Sequence, residues 1–410
     1  METGLRTLLL MHPSIPGSSF DMKSLLCSIL TILMLSTGVS AEEPGGQPQP
    51  PRDEQPGTET APQPPEFVLV QKPIQELVGQ ARACLDDTFR IHEDRFWIIL
   101  TDADYKSIEH IGRDLKAARH QFNRLCQVLG SVRPMPREKM LCIVFHDQKA
   151  FLDFFTRCES STEALPPTAG GYFSPAKQWI VFYEPRGFPV VREAQDNLAE
   201  SEDQLAEFEA EQHRDPKKAA RQREIAESWS KQLDRHHEGI QAFERELRTS
   251  VTVHEAFHQL SSITGFVDSR GGWTLWLHEG FATCFETDDT AYAFGPSHES
   301  ELRRNVFRSM LAKNELLPLR KLVALRTYSA LPQHRLPVFY HQSYALVRWL
   351  YRFRRTQLNS YIRALRERPD LEFPRDDIKV FEEYFGPIER LERRWMRDEL
   401  DDWAVSQTQP

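Results

Sequence analysis

The chain has 410 residues, 40% hydrophobic and 27% charged, with a mean hydropathy of -0.52. That length suits two or three domains of roughly 150 residues and a self-sufficient core, while the composition excludes a polytopic membrane protein. The net charge of -9, from 51 basic and 60 acidic side chains, argues against nucleic-acid binding, which needs a basic face to neutralise phosphates.

Residues 1–41 read as an export signal. Lys23 precedes the apolar run Ser24 to Leu35, and Val39-Ser40-Ala41 places small residues where a signal peptidase reads, so cleavage is expected after Ala41. Residues 1–22 are unusual ahead of such a signal, which leaves Met22 open as the true start. The apolar run is shorter than the ~20 residues a spanning helix needs. Export to the periplasm or medium is therefore expected, with membrane association only if the signal is kept as an anchor. Residues 42–65, dominated by Pro, Gly, Gln, Glu and Thr, have little to bury and read as a disordered linker. Beyond the signal, Cys84, Cys126, Cys142, Cys158 and Cys284 form an odd, widely spaced set without CxxC. This is no disulfide framework. One or two bridges stay open, and most of these cysteines read as buried small hydrophobes.

Residues 66–190 read as an N-terminal α+β lobe with edge strands. Arg95 to Leu100 is a short apolar run and hence a buried strand. Tyr105, Ile108, Ile111, Leu115, Ala118, Phe122, Leu125 and Val128 step by three or four, predicting a long helix closed near Gly130. Lys139 to Phe145 predicts a second strand and Phe151 to Phe155 a short helix. Two further strands joined by a turn are expected from Gly170-Gly171-Tyr-Phe and from Gln178 to Tyr183, the latter lying antiparallel to an extended peptide.

Residues 191–248 read as an inserted, charged coiled-coil hairpin. Here 25 of 58 side chains are charged, and Ile225, Trp229, Leu233, His236, Ile240, Phe243 and Leu247 form a heptad seam. Val191, Leu198, Leu205 and Phe208 supply the other arm, with the turn near His213 to Pro216. The arm from Glu193 to Glu211 has eight acids and no base, and Lys217, Lys218, Arg221 and Arg223 open the return. Acid–base pairing across the tip is the expectation. The hairpin reads as a solvated spur or as a docking arm for a protein partner.

Residues 249–290 carry the chemistry. His254-Glu255-Ala-Phe-His258 is HExxH within an apolar helical pattern. A spacing of four puts both imidazoles on one helix face, able to share one tetrahedral Zn²⁺. Glu255 points to the neighbouring face, placed to take a proton from a water without ligating the metal. Trp273 to Glu286 predicts a second helix, in which Glu279 is the candidate third ligand, 21 positions after His258. Residues 291–410 read as a helical C-terminal lobe.

Trp276-Leu-His-Glu-Gly-Phe-Ala282 resembles the Trp-Leu-Asn-Glu-Gly-Phe-Ala signature of the aminopeptidase N group of gluzincin metallopeptidases. The resemblance implies that Glu279 is the third zinc ligand. Twenty residues separate it from His258, against eighteen in the family, which implies a two-residue insertion. Tyr340-His-Gln-Ser343-Tyr-Ala-Leu-Val-Arg-Trp-Leu350 is similar to the stretch carrying the family's oxyanion-donating Tyr and points to Tyr340, with Tyr344 and His341 as local competitors. The Gly-x-Met-Glu-Asn segment whose Glu grips a substrate's free amine has no counterpart around Thr168 to Tyr183, which favours endopeptidase over aminopeptidase action. The overall plan resembles the exported Peptidase MA-like bacterial proteins, from which the charged hairpin departs.

The fold expected is therefore α+β: a gluzincin (thermolysin-like) metallopeptidase domain with a small mixed sheet, a zinc-binding helix pair, a mainly helical C-terminal part and the inserted hairpin. The function expected is an exported zinc peptidase with one Zn²⁺ per chain, acting on a peptide or protein. The alternative is a catalytically inactive gluzincin-like binding or scaffold protein acting through the hairpin.

Overall fold

The computed structural model describes residues 71–407 apart from 132, 160–164, 166–168, 212–214, 267–273 and 368–375. The expected signal and linker, and the hairpin turn at His213, lie outside the described residues. Among those described, no helix is long and apolar enough to cross a membrane.

The chain is α+β and mostly helical. Helix α1 (Ile74–Arg82) precedes strands β1 (Arg90–Glu93) and β2 (Trp97–Thr101), then α2 (Tyr105–Val128), β3 (Met140–Phe145), α3 (Gln148–Cys158), β4 (Gly171–Ser174) and β5 (Trp179–Tyr183). The five strands form one mixed sheet in the order β1-β2-β3-β5-β4, with β2, β3 and β5 parallel and the two outer strands antiparallel. The three parallel strands read as near-continuous apolar runs because both sheet faces are covered. Strand β5 is thus interior, and the expectation that Gln178 to Tyr183 faces a peptide is corrected: backbone groups already used by β3 and β4 cannot accept another strand. The edge is β4. Cys84 and Cys158 are bridged, whereas Cys126, Cys142 and Cys284 are buried and unbridged.

Helices α4 (Pro189–Ala210) and α5 (Pro216–Ile263) form the antiparallel hairpin. At 48 residues, α5 is about 72 Å long. It runs unbroken from hairpin tip to HExxH motif, so the boundary read between 248 and 249 falls inside one helix. The distal seam comprises Leu205, Ala226 and Leu233, with Leu198, Phe208 and Trp229 packed on it, while Ile225 is exposed. Ala226, not Ile225, therefore occupies the seam one turn before Trp229. Among the described residues, no α4 acid lies within ion-pair distance of Lys217, Lys218, Arg221 or Arg223. Instead Gln222 donates to the backbone carbonyl of Glu211 at 2.9 Å. An exposed pair would add less than ~1 kcal/mol and cost side-chain freedom, so these charges stay hydrated.

The remaining helices are α6 (Leu275–Phe285), α7 (Glu301–Ala312), α8 (Leu319–Ala324), α9 (Leu336–Phe353), α10 (Arg355–Glu367), α11 (Asp377–Phe385) and α12 (Ile388–Gln407). The C-terminal half of α5 is sandwiched between the sheet with α2 on one side and α6 on the other, and the buried core is continuous across them. Gln259 fastens α5 to the sheet. Its amide donates to the carbonyls of Leu141 and Gln178, both at 2.9 Å, and accepts from Trp97 Nε1 at 2.9 Å.

Candidate metal centre

Helix α5 presents His254 and His258 one turn apart, with their Nε2 atoms 3.1 Å from each other. Helix α6 brings Glu279 against both: Oε2 is 3.3 Å from His254 Nε2, and Oε1 is 3.5 Å from His258 Nε2. All three side chains are buried. Ligand atoms around a tetrahedral Zn²⁺ at about 2.0–2.1 Å stand roughly 3.3 Å apart, close to the 3.1 Å between the two Nε2 atoms and the 3.3 Å from His254 Nε2 to Glu279 Oε2. Two nitrogens and one carboxylate oxygen form a donor set that suits Zn²⁺ chemically.

The helix pair is held in register by packing that the motif's small and aromatic residues supply. Phe257 stacks on Phe281, with centroids 5.9 Å apart, and meets Phe285 at 4.9 Å. On the far side of α6, Gly280 lets α9 approach closely: a Cβ there would stand 2.6 Å from both the Ser343 carbonyl oxygen and Val347 Cγ2.

The outer ring nitrogens are fixed as well. His254 Nδ1 lies 2.9 Å from Glu286 Oε1, and a carboxylate only accepts, so Nδ1 carries the hydrogen and Nε2 is turned to the cluster. Arg303, itself buried, donates through Nε to Glu286 Oε2 at 2.9 Å and makes a second contact through its terminal nitrogen. Burial opposes charge on His254, but Glu279 and Glu286 outweigh it and hold the imidazole up to about 10. A proton and a metal ion compete for the same lone pair, and those carboxylates favour either. His258 Nδ1 is 3.0 Å from His278 Nε2, and burial, with the neighbouring His258, keeps His278 down at about 3 and neutral. The chain leaving Glu286 is tied back by Asp114, which accepts from Thr249 at 2.9 Å and Thr290 at 2.7 Å.

Glu255 stands beside the cluster. Its Oε2 is buried and accepts no hydrogen bond. Burial raises its carboxyl; His254 pulls it down, Glu279 and Glu286 push it further up, and it settles at about 8. The side chain abuts edge strand β4, since a Cβ on Gly171 would come within 3.1 Å of Glu255 Cγ.

Tyr340 on α9 also reaches the site, through an intermediary that sequence reading missed. Tyr328, in the irregular segment between α8 and α9, donates to Glu279 Oε1 at 2.7 Å, and Tyr340 donates to the Tyr328 hydroxyl at 3.4 Å. The local competitors are engaged elsewhere: the Tyr344 hydroxyl accepts the Ser300 amide at 2.9 Å, and burial together with Arg303 holds His341 well below the usual imidazole range. Glu286 was discernible in principle, seven residues after Glu279 and immediately after the end of α6. His278 stands where the resembled signature has Asn. Tyr328 carries no sequence signal. Neither does Glu159, which the fold brings beside β4, where its carboxylate accepts from Tyr172 at 3.1 Å, Ser174 at 2.7 Å and Trp179 Nε1 at 2.8 Å.

A family model described as a protein of unknown function (DUF1570) matches residues 248–372, a stretch that starts just before HExxH and includes every candidate residue above except Glu159 and Asp114. No curated protein and no solved structure matches the chain.

Proposed function

We propose that the chain is an exported, zinc-dependent peptidase of the gluzincin type, with His254, His258 and Glu279 as metal ligands and Glu255 as general base. The observation that carries this reading is the buried cluster in which the two imidazole Nε2 atoms stand 3.1 Å apart and the Glu279 carboxylate spans them, Oε2 at 3.3 Å from His254 and Oε1 at 3.5 Å from His258, backed by outer contacts that turn the imidazoles toward it. A Zn²⁺ held there would polarise a water and the scissile carbonyl. Glu255, with Oε2 uncommitted, accepts the attacking water's proton and passes it to the leaving amine. Tyr340, whose hydroxyl donates to Tyr328 at 3.4 Å, would turn that hydrogen to the developing oxyanion. A substrate strand aligns along β4, next to Glu255.

Endopeptidase action is the better supported direction. Strand β4 contains no acid, and the oxygens of the nearby Glu159 already accept three hydrogen bonds. Among the described residues, a free amine would find no uncommitted carboxylate there other than the general base Glu255, and burying it unpaired is unfavourable.

The test combines metal analysis with peptide digestion. Wild type should carry one Zn²⁺ and cut N-terminally blocked peptides as well as free ones. His254→Ala, His258→Ala and Glu279→Ala should lose metal, whereas Glu255→Gln should keep metal and lose turnover. Metal-loaded wild type that cuts nothing in a broad peptide library would leave the inactive binding protein as the reading, and strict dependence on a free N-terminus would overturn endopeptidase action.

A further inference from the structure

We infer that Tyr328 is a positioning residue that confines Glu279 to one ligating oxygen, Oε2, and couples Tyr340 to the cluster. This rests on the metal-site reading above. Tyr328 sits on a short 3₁₀ turn, Tyr328–Ala330. Its neighbours Thr327, Ser329 and Ala330 are exposed, while Tyr328 and Leu331 turn inward.

The segment is held at several points. The Leu275 amide at the start of α6 donates to the Leu325 carbonyl at 3.2 Å, Arg326 pairs with the buried Asp377 at 2.7 Å, and the Leu331 amide closes on the Tyr328 carbonyl at 2.9 Å. The Tyr328 ring lies edge-on to Phe339, with centroids 6.2 Å apart, and nearly parallel to Tyr340 at 6.4 Å and 19°. Its hydroxyl is therefore aimed by packing, not left to find a partner.

What the hydroxyl does follows from carboxylate chemistry. A glutamate can offer a metal one oxygen or both. A hydrogen bond of 2.7 Å to Oε1 draws on that oxygen's lone pair and weakens it as a ligand, leaving Oε2, the oxygen 3.3 Å from His254 Nε2. One-oxygen ligation plus two imidazoles leaves the fourth tetrahedral position for water or substrate, whereas two-oxygen ligation would crowd it. Tyr340, donating to the Tyr328 oxygen, is lined up through the same hydroxyl.

The experiment compares wild type, Tyr328→Phe and Tyr340→Phe loaded with Co²⁺, whose visible absorption distinguishes four-coordinate from five-coordinate sites. Wild type and Tyr340→Phe should show the intense four-coordinate band. Tyr328→Phe should bind one equivalent with a weakened band and a Kd changed by about 10-fold or more, as for other partners of metal ligands. A Tyr328→Phe spectrum and Kd identical to wild type would overturn the assignment. X-ray absorption on Zn²⁺-loaded wild type supplies a test that no variant's folding can spoil: four light-atom ligands are expected, and a carboxylate binding through both oxygens would refute the role. A wild type that takes up neither ion overturns the metal-site reading and this assignment with it, an outcome distinct from metal binding that ignores Tyr328.

Discussion

Gly280→Ala isolates the close approach of α6 and α9. In a solvent-facing helix this change stabilises by about 1 kcal/mol, because Gly loses more backbone freedom on folding than Ala. Here the new methyl would stand 2.6 Å from the Ser343 carbonyl oxygen and from Val347 Cγ2, while carbon–oxygen contacts settle at roughly 3.3 Å or more. The Val347 methyl can rotate aside, but the carbonyl is backbone within α9, so the helices must separate by about 0.7 Å. Overpacking of this kind costs about 1–3 kcal/mol, leaving a net loss of up to about 2 kcal/mol after the propensity gain. Glu279, the adjacent residue, is carried by the share of that separation that α6 takes, a displacement comparable to the roughly 0.5 Å a metal site tolerates, so metal affinity should fall with stability. Gly112 in α2 is the control: a Cβ there meets nothing within 4 Å, and Gly112→Ala should stabilise by about 0.5–1 kcal/mol with metal binding unchanged. Denaturant titration and metal competition read both quantities. The same sign of stability change at the two glycines, or a Gly280→Ala protein with wild-type metal affinity, would refute the packing argument.

Glu286→Gln should weaken metal binding about 10- to 100-fold by uncoupling His254 from its carboxylate, and should destabilise the fold because Arg303 is left buried without its counter-charge. Adding Arg303→Met should restore stability but not metal affinity, and recovery of both together would remove the orienting role from Glu286. Replacing Cys84 and Cys158 by Ser opens a loop of 74 residues and should cost about 2–4 kcal/mol in denaturant titration; an unchanged midpoint would show that the bridge contributes nothing to stability.

The local elements were readable wherever a side-chain period survives tertiary context. The α2 stripe from Tyr105 to Val128, the apolar runs of β2, β3 and β5, and the HExxH helix all follow from spacing. Sheet order was not readable, because interior and edge strands here are alike in composition: β4 is as thoroughly buried as β5. The apparent break at residue 248 arose because α5 changes neighbours, from water and α4 to sheet and α6, while its backbone continues unbroken. No proline lies between Pro216 and Ile263, and a change of surface charge is not a helix stop. Ile225 shows the limit of heptad reading at a short seam, where one position either way scores equally and Ala226 takes the seam. Tyr328 and Glu159 were beyond reach for another reason. Each lies outside a regular element and gains its role from contacts 49 residues away, to Glu279, or 13 to 20 residues away, to Tyr172, Ser174 and Trp179.

Charge balance gives the cluster its internal logic. Glu255, Glu279 and Glu286 bring three carboxylates into one buried region, and among the described residues Arg303 is the one guanidinium paired with any of them. With neutral imidazoles that leaves two uncompensated negative charges, each costing several kcal/mol in a water-poor interior. The protein can recruit two protons, and the upward shifts of His254 to about 10 and Glu255 to about 8 are that response. A single divalent cation bound by His254, His258 and Glu279 supplies the same two charges at once. It also leaves Glu255 ionised, which is the state a general base requires, and holds the His254 lone pair that the proton would otherwise occupy. A monovalent ion would satisfy neither condition. On the function proposed above, the buried acid Glu286 is not surplus: by engaging Arg303 through one oxygen and His254 through the other, it would leave a deficit of two for a divalent ion to fill.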